Sequence, residues 1–212
     1  MQLQMLARER YVPTGESDPV ACYHLPLLGR LYRRRVARCI DLLPPGQRVL
    51  EVGYGSGVSF LSLAEKYEEI HGIDLHNRPG DVARSFADTP LALHLRQGSI
   101  LDLPCPERSF DAVLAVSIHE HLEPRDQERA FAEVHRVLRP GGGYVVGVPG
   151  LNPLMTAAFL ALGYRIQEHH LSSEKRVLAA MAERFHIDRT VFQPRWWPRS
   201  LTWYACARGW KA

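Results

Sequence analysis

The chain has 212 residues, enough for one globular domain that buries roughly 70% of its unfolded surface, and nothing in its length demands a second. Hydrophobic residues at 46% and charged residues at 23% are ordinary, and a net charge of +3 is too small to argue for a polyanion, so no nucleic-acid partner is expected. Cys22, Cys39, Cys105 and Cys206 lack the spacing of a zinc site or a disulfide framework, residues 1–20 lack the layout of a secretory signal, and the most apolar run, 154–162, is too short for the roughly 18 to 20 residues of a bilayer span; a cytoplasmic protein with reduced thiols is the expectation.

In chain order, the first periodic segment is an N-terminal extension in which Leu28, Leu31, Tyr32, Val36, Cys39, Ile40 and Leu43 recur at helical spacing. Arg30, Arg33, Arg34 and Arg38 fall on the other side, and Pro44-Pro45-Gly46 ends the helix. Such a basic face is a solvated helix surface, with an anionic membrane contact as its alternative. Strands then alternate with helices: strand 48–52, helix 58–67, strand 69–75, helix 78–87, a strand near 91–95, strand 110–117, helix 125–138 and strand 143–148. Strand, helix, strand in repetition means parallel pairing through right-handed crossovers, hence an open α/β sheet covered on both faces. After a helix over 172–184, segments 186–192 and 200–207 flank Pro194 and Pro198 and read as an antiparallel hairpin at the sheet edge. The expected architecture is a Rossmann-like, doubly wound sheet of seven strands, with residues 1–43 as a lid or helical extension and 44–212 as the main domain.

The densest chemical signal is V-L-E-V-G-Y-G-S-G-V at 49–58. A buried strand carries Glu51, then Gly53, Gly55 and Gly57 bracket Tyr54 and let the backbone turn tightly against a ligand. The next strand ends H-G-I-D-L, placing Asp74 where a carboxylate accepts both hydroxyls of a ribose, with Leu75 beside it. For a dinucleotide the third glycine belongs at position 58, which is Val58, and Glu51 has the wrong sign for a pyrophosphate. S-adenosylmethionine (SAM), with its ammonium and sulfonium, suits a carboxylate at Glu51, in direct contact or through water.

With these residues in view, the chain resembles the class I SAM-dependent methyltransferases, and within them the branch containing the ubiquinone and menaquinone biosynthesis enzymes. The resemblance also rests on Q-G-S-I-L-D-L-P-C-P-E-R-S-F-D-A-V at 97–113, V-S-I-H-E-H-L at 116–122 and E-V-H-R-V-L-R-P-G-G-G-Y-V-V-G-V-P at 133–149. It implies that the second segment cradles adenine, although the family's usual acid is here Ser99, which leaves the contact to Ser99, the Ile100 and Leu101 backbone, or Asp102. It further implies that Ser117 and the turn after it lie beside the transferable methyl.

Displacement on a sulfonium carbon asks the protein for alignment and dryness; a base is needed only when the acceptor must lose a proton. His119 and His121 are the candidate bases, hydrogen bonding and capping being their alternative. No metal is expected, because His119, Glu120, His121, His169 and His170 do not form a helical zinc pair and no further ligand completes a shell. His169 and His170 precede a capped turn at L-S-S-E-K. The site lacks the N/D-P-P-Y/F clamp of enzymes that methylate adenine, and Trp196, Trp197, Trp203, Tyr204 and Trp210 are read as sheet packing before a stacking platform. The expected acceptor is a small organic molecule, entering under a roof of 11–23 and 151–170; a lipid-linked acceptor at a membrane surface, or a SAM-binding module without turnover, are the rivals.

Overall fold

The computed structural model describes residues 1–15, 18–150, 171–194, 198 and 201–212. Short turns at the N-terminus and α1 (Val20–Tyr23) lead into α2 (Leu28–Leu42). Then come β1 (Arg48–Val52), α3 (Phe60–Leu63), β2 (Glu69–Asp74), α4 (Pro79–Ser85), β3 (Ala92–Gln97) and β4 (Phe110–Val116). The chain closes with α5 (Pro124–Val137), β5 (Leu138–Pro149), α6 (Glu174–Ala182), β6 (His186–Gln193) and β7 (Tyr204–Trp210). Seven strands form one sheet in the order β3-β2-β1-β4-β5-β7-β6. The first five pair in parallel, while β7 runs antiparallel to both β5 and β6.

Alternation along the strands explains why both faces are covered. In β1, Val49 joins the apolar layer under α2, α3 and α4, whereas Leu50 and Val52 join the layer under α5 and α6. On the first face Val36, Ile40, Phe60, Leu63 and Val82 pack against Ile70, Leu114 and Val145; on the second Phe131, Val134, Val177 and Met181 pack against Val113, Tyr144 and Val146. The N-terminal Leu3, Leu6, Tyr11, Val20 and Tyr23 are part of the first layer.

Three expected elements shift most, and β5 begins at Leu138, ahead of the expected 143, because Phe110 of β4 already pairs with Leu138. The helix over 58–67 shortens to α3 because the glycine loop consumes residues in successive turns, Gly57 N–H donating to the Tyr54 carbonyl and Phe60 N–H to that of Gly57. The last strand starts later than 200 and runs to Trp210, because its register is set by β5, with Gly143 opposite Trp210 and Pro149 opposite Tyr204. Among the described residues no helix is long and apolar enough to cross a membrane.

Candidate active site

The order of the strands reverses at β1 and β4, whose carboxyl ends lie side by side, Val52 opposite Ala115. In open α/β sheets this is where ligands sit, and the sequence sends its glycine loop there. Gly53, Gly55 and Gly57 all have positive φ (74°, 50° and 77°), a region that side chains disfavour. At Gly53 a Cβ would lie 1.9 Å from Ile118 Cδ1 and at Gly57 2.4 Å from the Phe60 ring, so these two are needed for packing. Gly55 is different: the three nearest atoms to such a Cβ belong to the Asp18 carboxylate, at 3.8 to 3.9 Å, an ordinary contact distance.

Asp74 closes the other side of the loop. One carboxylate oxygen accepts from Gly55 N–H at 2.8 Å and the other from His76 N–H at 3.2 Å. A carboxylate offers about four acceptor directions, so two remain for a pair of hydroxyls. Glu51 lies beneath the loop, 4% exposed, and receives a hydrogen bond from the Ser59 hydroxyl. Burial pushes its pKa up to about 8, with the Ser59 bond opposing and the Asp74 charge adding to the rise. Tyr54 turns inward, its ring packed over Gly72 and beside His76 and Phe60, so only its backbone belongs to the loop.

The segment after β3 is drawn to the same place by Gly98 N–H donating to the Asp74 carbonyl at 2.8 Å. Here Ser99 Oγ accepts from Leu101 N–H at 3.2 Å, Ser99 bridges to Asp102, and the Ile100 side chain is buried. Leu75 is 73% exposed at the rim, an apolar surface one residue beyond Asp74. The donor set thus fits SAM: an acid with spare acceptor sites for a ribose, an acid near the loop for an ammonium, and a glycine turn between them.

At the end of β4 the two histidines are placed differently, and His119 follows the hydrogen-bonding alternative. His119 is fully buried on the α5 face, its ring stacked on Phe131 with centroids 4.4 Å apart. Gln127 Nε2 donates to the His119 carbonyl, so Gln127 Oε1 must accept from Nδ1–H at 2.8 Å, and Nε2 accepts from the Tyr144 hydroxyl at 2.6 Å. Burial holds its pKa down at about 4, against the Gln127 bond. It is a neutral core group with both nitrogens engaged, not a base facing a ligand. His121, two residues further on, is exposed, its N–H donating to the Ile118 carbonyl.

The residue between them was missed as a site candidate. Glu120 is 1% exposed, its Oε2 has no hydrogen-bond partner among the described residues, and burial pushes its pKa to about 8 although Arg35 and the Ser117 hydroxyl pull the other way. Ser117 holds φ at 58°, unusual for a residue with a side chain, and its hydroxyl lies 3.1 Å from that of Tyr204. Asp18 was also missed. Its carboxylate accepts from Thr14 N–H, Thr14 Oγ, Val20 N–H and the Ser56 hydroxyl, which ties the N-terminal segment down over the glycine loop.

Among the described residues, the three groups whose ligand atoms cluster within 4.8 Å are Glu69, His71 and His94, at the opposite end of β2 and β3. Arg48 grips both oxygens of Glu69, at 2.9 and 3.2 Å, so this is an ion-paired surface patch remote from the loop. Two surface concavities, lined in part by Tyr67 and Ile70 and by Asp111 and Arg139, also lie at that far end and contain none of the expected site residues. His169, His170, Trp196, Trp197 and the expected roof over 151–170 lie outside the described residues.

Residues 49–142 match the model of a family described as a methyltransferase domain. The fatty-acid O-methyltransferase of Mycolicibacterium smegmatis is 37% identical over 136 residues, 63% of this chain and 46% of that protein. The ubiquinone biosynthesis O-methyltransferase of Hahella chejuensis is 32% identical over 111 residues, 51% of this chain and 46% of that one. The chain therefore spans less than half the length of these curated relatives. Among solved structures, geranyl diphosphate C-methyltransferase from Streptomyces coelicolor A3(2), bound to magnesium, geranyl diphosphate and S-adenosyl-L-homocysteine (SAH), superposes with a TM-score of 0.71 at 16% identity, covering 95% of this chain and 90% of the other.

Proposed function

On the premise that this is a class I SAM-dependent methyltransferase, with its methyltransferase domain at residues 49–142, we propose that it transfers the methyl group of SAM to a small organic acceptor. The observation that carries this is the junction of Asp74 and Gly55: a carboxylate with acceptor directions to spare, bonded to the N–H of a positive-φ glycine in the loop. Bound SAM supplies an electrophilic methyl carbon. Asp74 binds the ribose hydroxyls, Glu51 answers the ammonium, and Leu75, Ser99 and Ile100 frame the base. Ser117, at the end of β4, borders the methyl.

The acceptor side is bounded by α2, Ser117, Glu120 and Tyr204, with residues 1–43 as its cover; the Asp18 bonds to Ser56 support that role. With His119 engaged in the core, Glu120 is the titratable group beside Ser117, and with its pKa pushed up to about 8 it takes a proton from the acceptor only in its minor ionised form at neutral pH. Matching relatives carry several acceptor chemistries in their names, so the ubiquinone and menaquinone branch is one among several. The deciding experiment incubates the protein with methyl-labelled SAM and a panel of small acids, phenols and amines. Label transfer to one class is the expected result; SAH failing to bind in calorimetry would overturn the reading.

A second reading, a lipid-like acceptor met at an anionic surface, draws on one observation. Leu25, Leu27, Leu28 and Leu31 are exposed around the start of α2, beside the exposed Arg30 and Arg34. Salt-sensitive cosedimentation with vesicles containing anionic lipid would support it, and its absence would remove it.

A further inference from the structure

The acceptor side contains a cation that the cofactor does not need. Arg35 projects from the inner side of α2, and its guanidinium carbon lies 4.2 Å from the ring centroid of Tyr32, 5.7 Å from that of Tyr204 and 5.9 Å from that of Tyr23. Its hydrogen bonds to described residues are long: Nη1 donates to Ser117 Oγ at 3.4 Å and Nη2 to the Tyr23 hydroxyl at 3.4 Å. Nε is buried and has no partner there. Among the described residues no carboxylate closes an ion pair with this guanidinium.

Such a cation is expensive. Three ring faces offer quadrupole attraction, but a half-buried guanidinium with its Nε shut from water and unpaired lacks the anion that would compensate it. Glu120 is the nearby acid, and burial keeps it largely protonated at neutral pH, so it does not supply that charge. Its own Oε2 is also unpartnered. An arginine edge and an orphaned acid oxygen, both beside Ser117 at the carboxyl end of β4, leave one complementary group missing. That group has two acceptor oxygens in a plane and a single negative charge.

We propose that Arg35 binds the acceptor, receiving a carboxylate of a monoanionic organic acid beside Ser117, with the rings of Tyr23, Tyr32 and Tyr204 as walls. One guanidinium facing the Ser117 hydroxyl matches a carboxylate in charge and shape better than a phosphate dianion. The aromatic walls favour an organic body attached to that carboxylate. The proposal rests on the methyl-transfer reading, because it takes the space beyond Ser117 to be the acceptor's.

The test is calorimetry on the SAH-saturated protein with decanoate and benzoate, each compared with its alcohol, decan-1-ol or benzyl alcohol, and with inorganic phosphate. We expect a carboxylate to bind at least tenfold tighter than its alcohol and than phosphate. Arg35→Gln should abolish that preference while SAH affinity stays within twofold, and Arg35→Lys, which keeps charge but not the fork, should fall between. Equal binding of acid and alcohol by the unaltered protein overturns the proposal, as does phosphate outcompeting both acids, or a preference that survives in Arg35→Gln. Because SAH binding is read first, its absence would strike the methyl-transfer reading itself and be told apart from these outcomes. Should Arg35→Gln fail to fold, the acid-to-alcohol ratio of the unaltered protein and the Arg35→Lys variant still decide.

Discussion

The Ser59 hydroxyl donates to the Glu51 carboxyl beneath the glycine loop, and both side chains are shut away from water. The acid's pKa of about 8 means that at pH 7 the ligand-free protein holds a proton there. An ammonium brought alongside favours the carboxylate and expels that proton. We expect SAH binding at pH 7 to release roughly 0.9 proton and to tighten as pH rises toward 8. Calorimetry in phosphate and in Tris would show different apparent heats, and Glu51→Gln would make them equal; equal heats with the unaltered protein would sink the assignment.

The same acid sets a stability trend. Its folded pKa lies above the usual carboxylate value of 4.5, so between pH 4.5 and 8 the native state keeps a proton that the unfolded chain has lost. Stability from this group is therefore present below about pH 4.5 and declines as pH climbs to 8. The melting temperature of Glu51→Gln, relative to the unaltered protein, should rise steadily across that window in the absence of cofactor. A constant difference would count against a buried, protonated Glu51.

Removing the Asp74 carboxylate takes away both ribose acceptance and the anchor of Gly55 N–H. Asp74→Ala should weaken SAH binding by about 2 kcal/mol, roughly thirtyfold, with Asp74→Asn losing less because one acceptor oxygen remains. Titration calorimetry measures this, and unchanged affinity in Asp74→Ala would refute the ribose role.

Gly53 and Gly55 should fail differently. A methyl at position 53 runs into Ile118, so Gly53→Ala is expected to cost stability. At position 55 the space is open toward Asp18, and Gly55→Ala should cost only about 1 kcal/mol of backbone strain while lowering SAH affinity at least tenfold. Thermal melts paired with binding separate the two, and a Gly55→Ala protein that binds normally would show the loop to be a packing device.

His119→Ala should remove about 3 kcal/mol of stability, through lost stacking on Phe131 and the stranded Tyr144 and Gln127 groups. Measured below its melting point, the variant should bind SAH as before. A selective loss of turnover with normal stability would restore His119 as a base.

Much of the fold was legible in the sequence because strand alternation and glycine punctuation are local signals: β1, β2 and β4 fall within a residue or so of their expected bounds. The Asp74 and Gly55 pairing follows from the same logic. What was hidden depends on which way a side chain points. H-E-H at 119–121 left two histidines between a base and a hydrogen-bonding role, and only the turn's direction sends His119 into the core and buries Glu120 beside Ser117. Arg35 did leave a trace. It stands three residues after Tyr32 and four before Cys39, an arginine on the apolar stripe of α2, where the helical period calls for a hydrophobic residue. Asp18 left none, since its partner Ser56 is 38 residues away.

The Arg35 cage joins a helix that precedes the glycine loop to the last strand of the sheet, whereas the cradle for the nucleoside is made wholly within the stretch between them. On the proposed reading, the acceptor's recognition adds both flanks to the Ser117 and Glu120 turn of the central stretch. Grafting either flank alone from a relative would part Arg35 from a matched Tyr204, so on this reading a change of acceptor requires both flanks to be inherited together with the turn after β4.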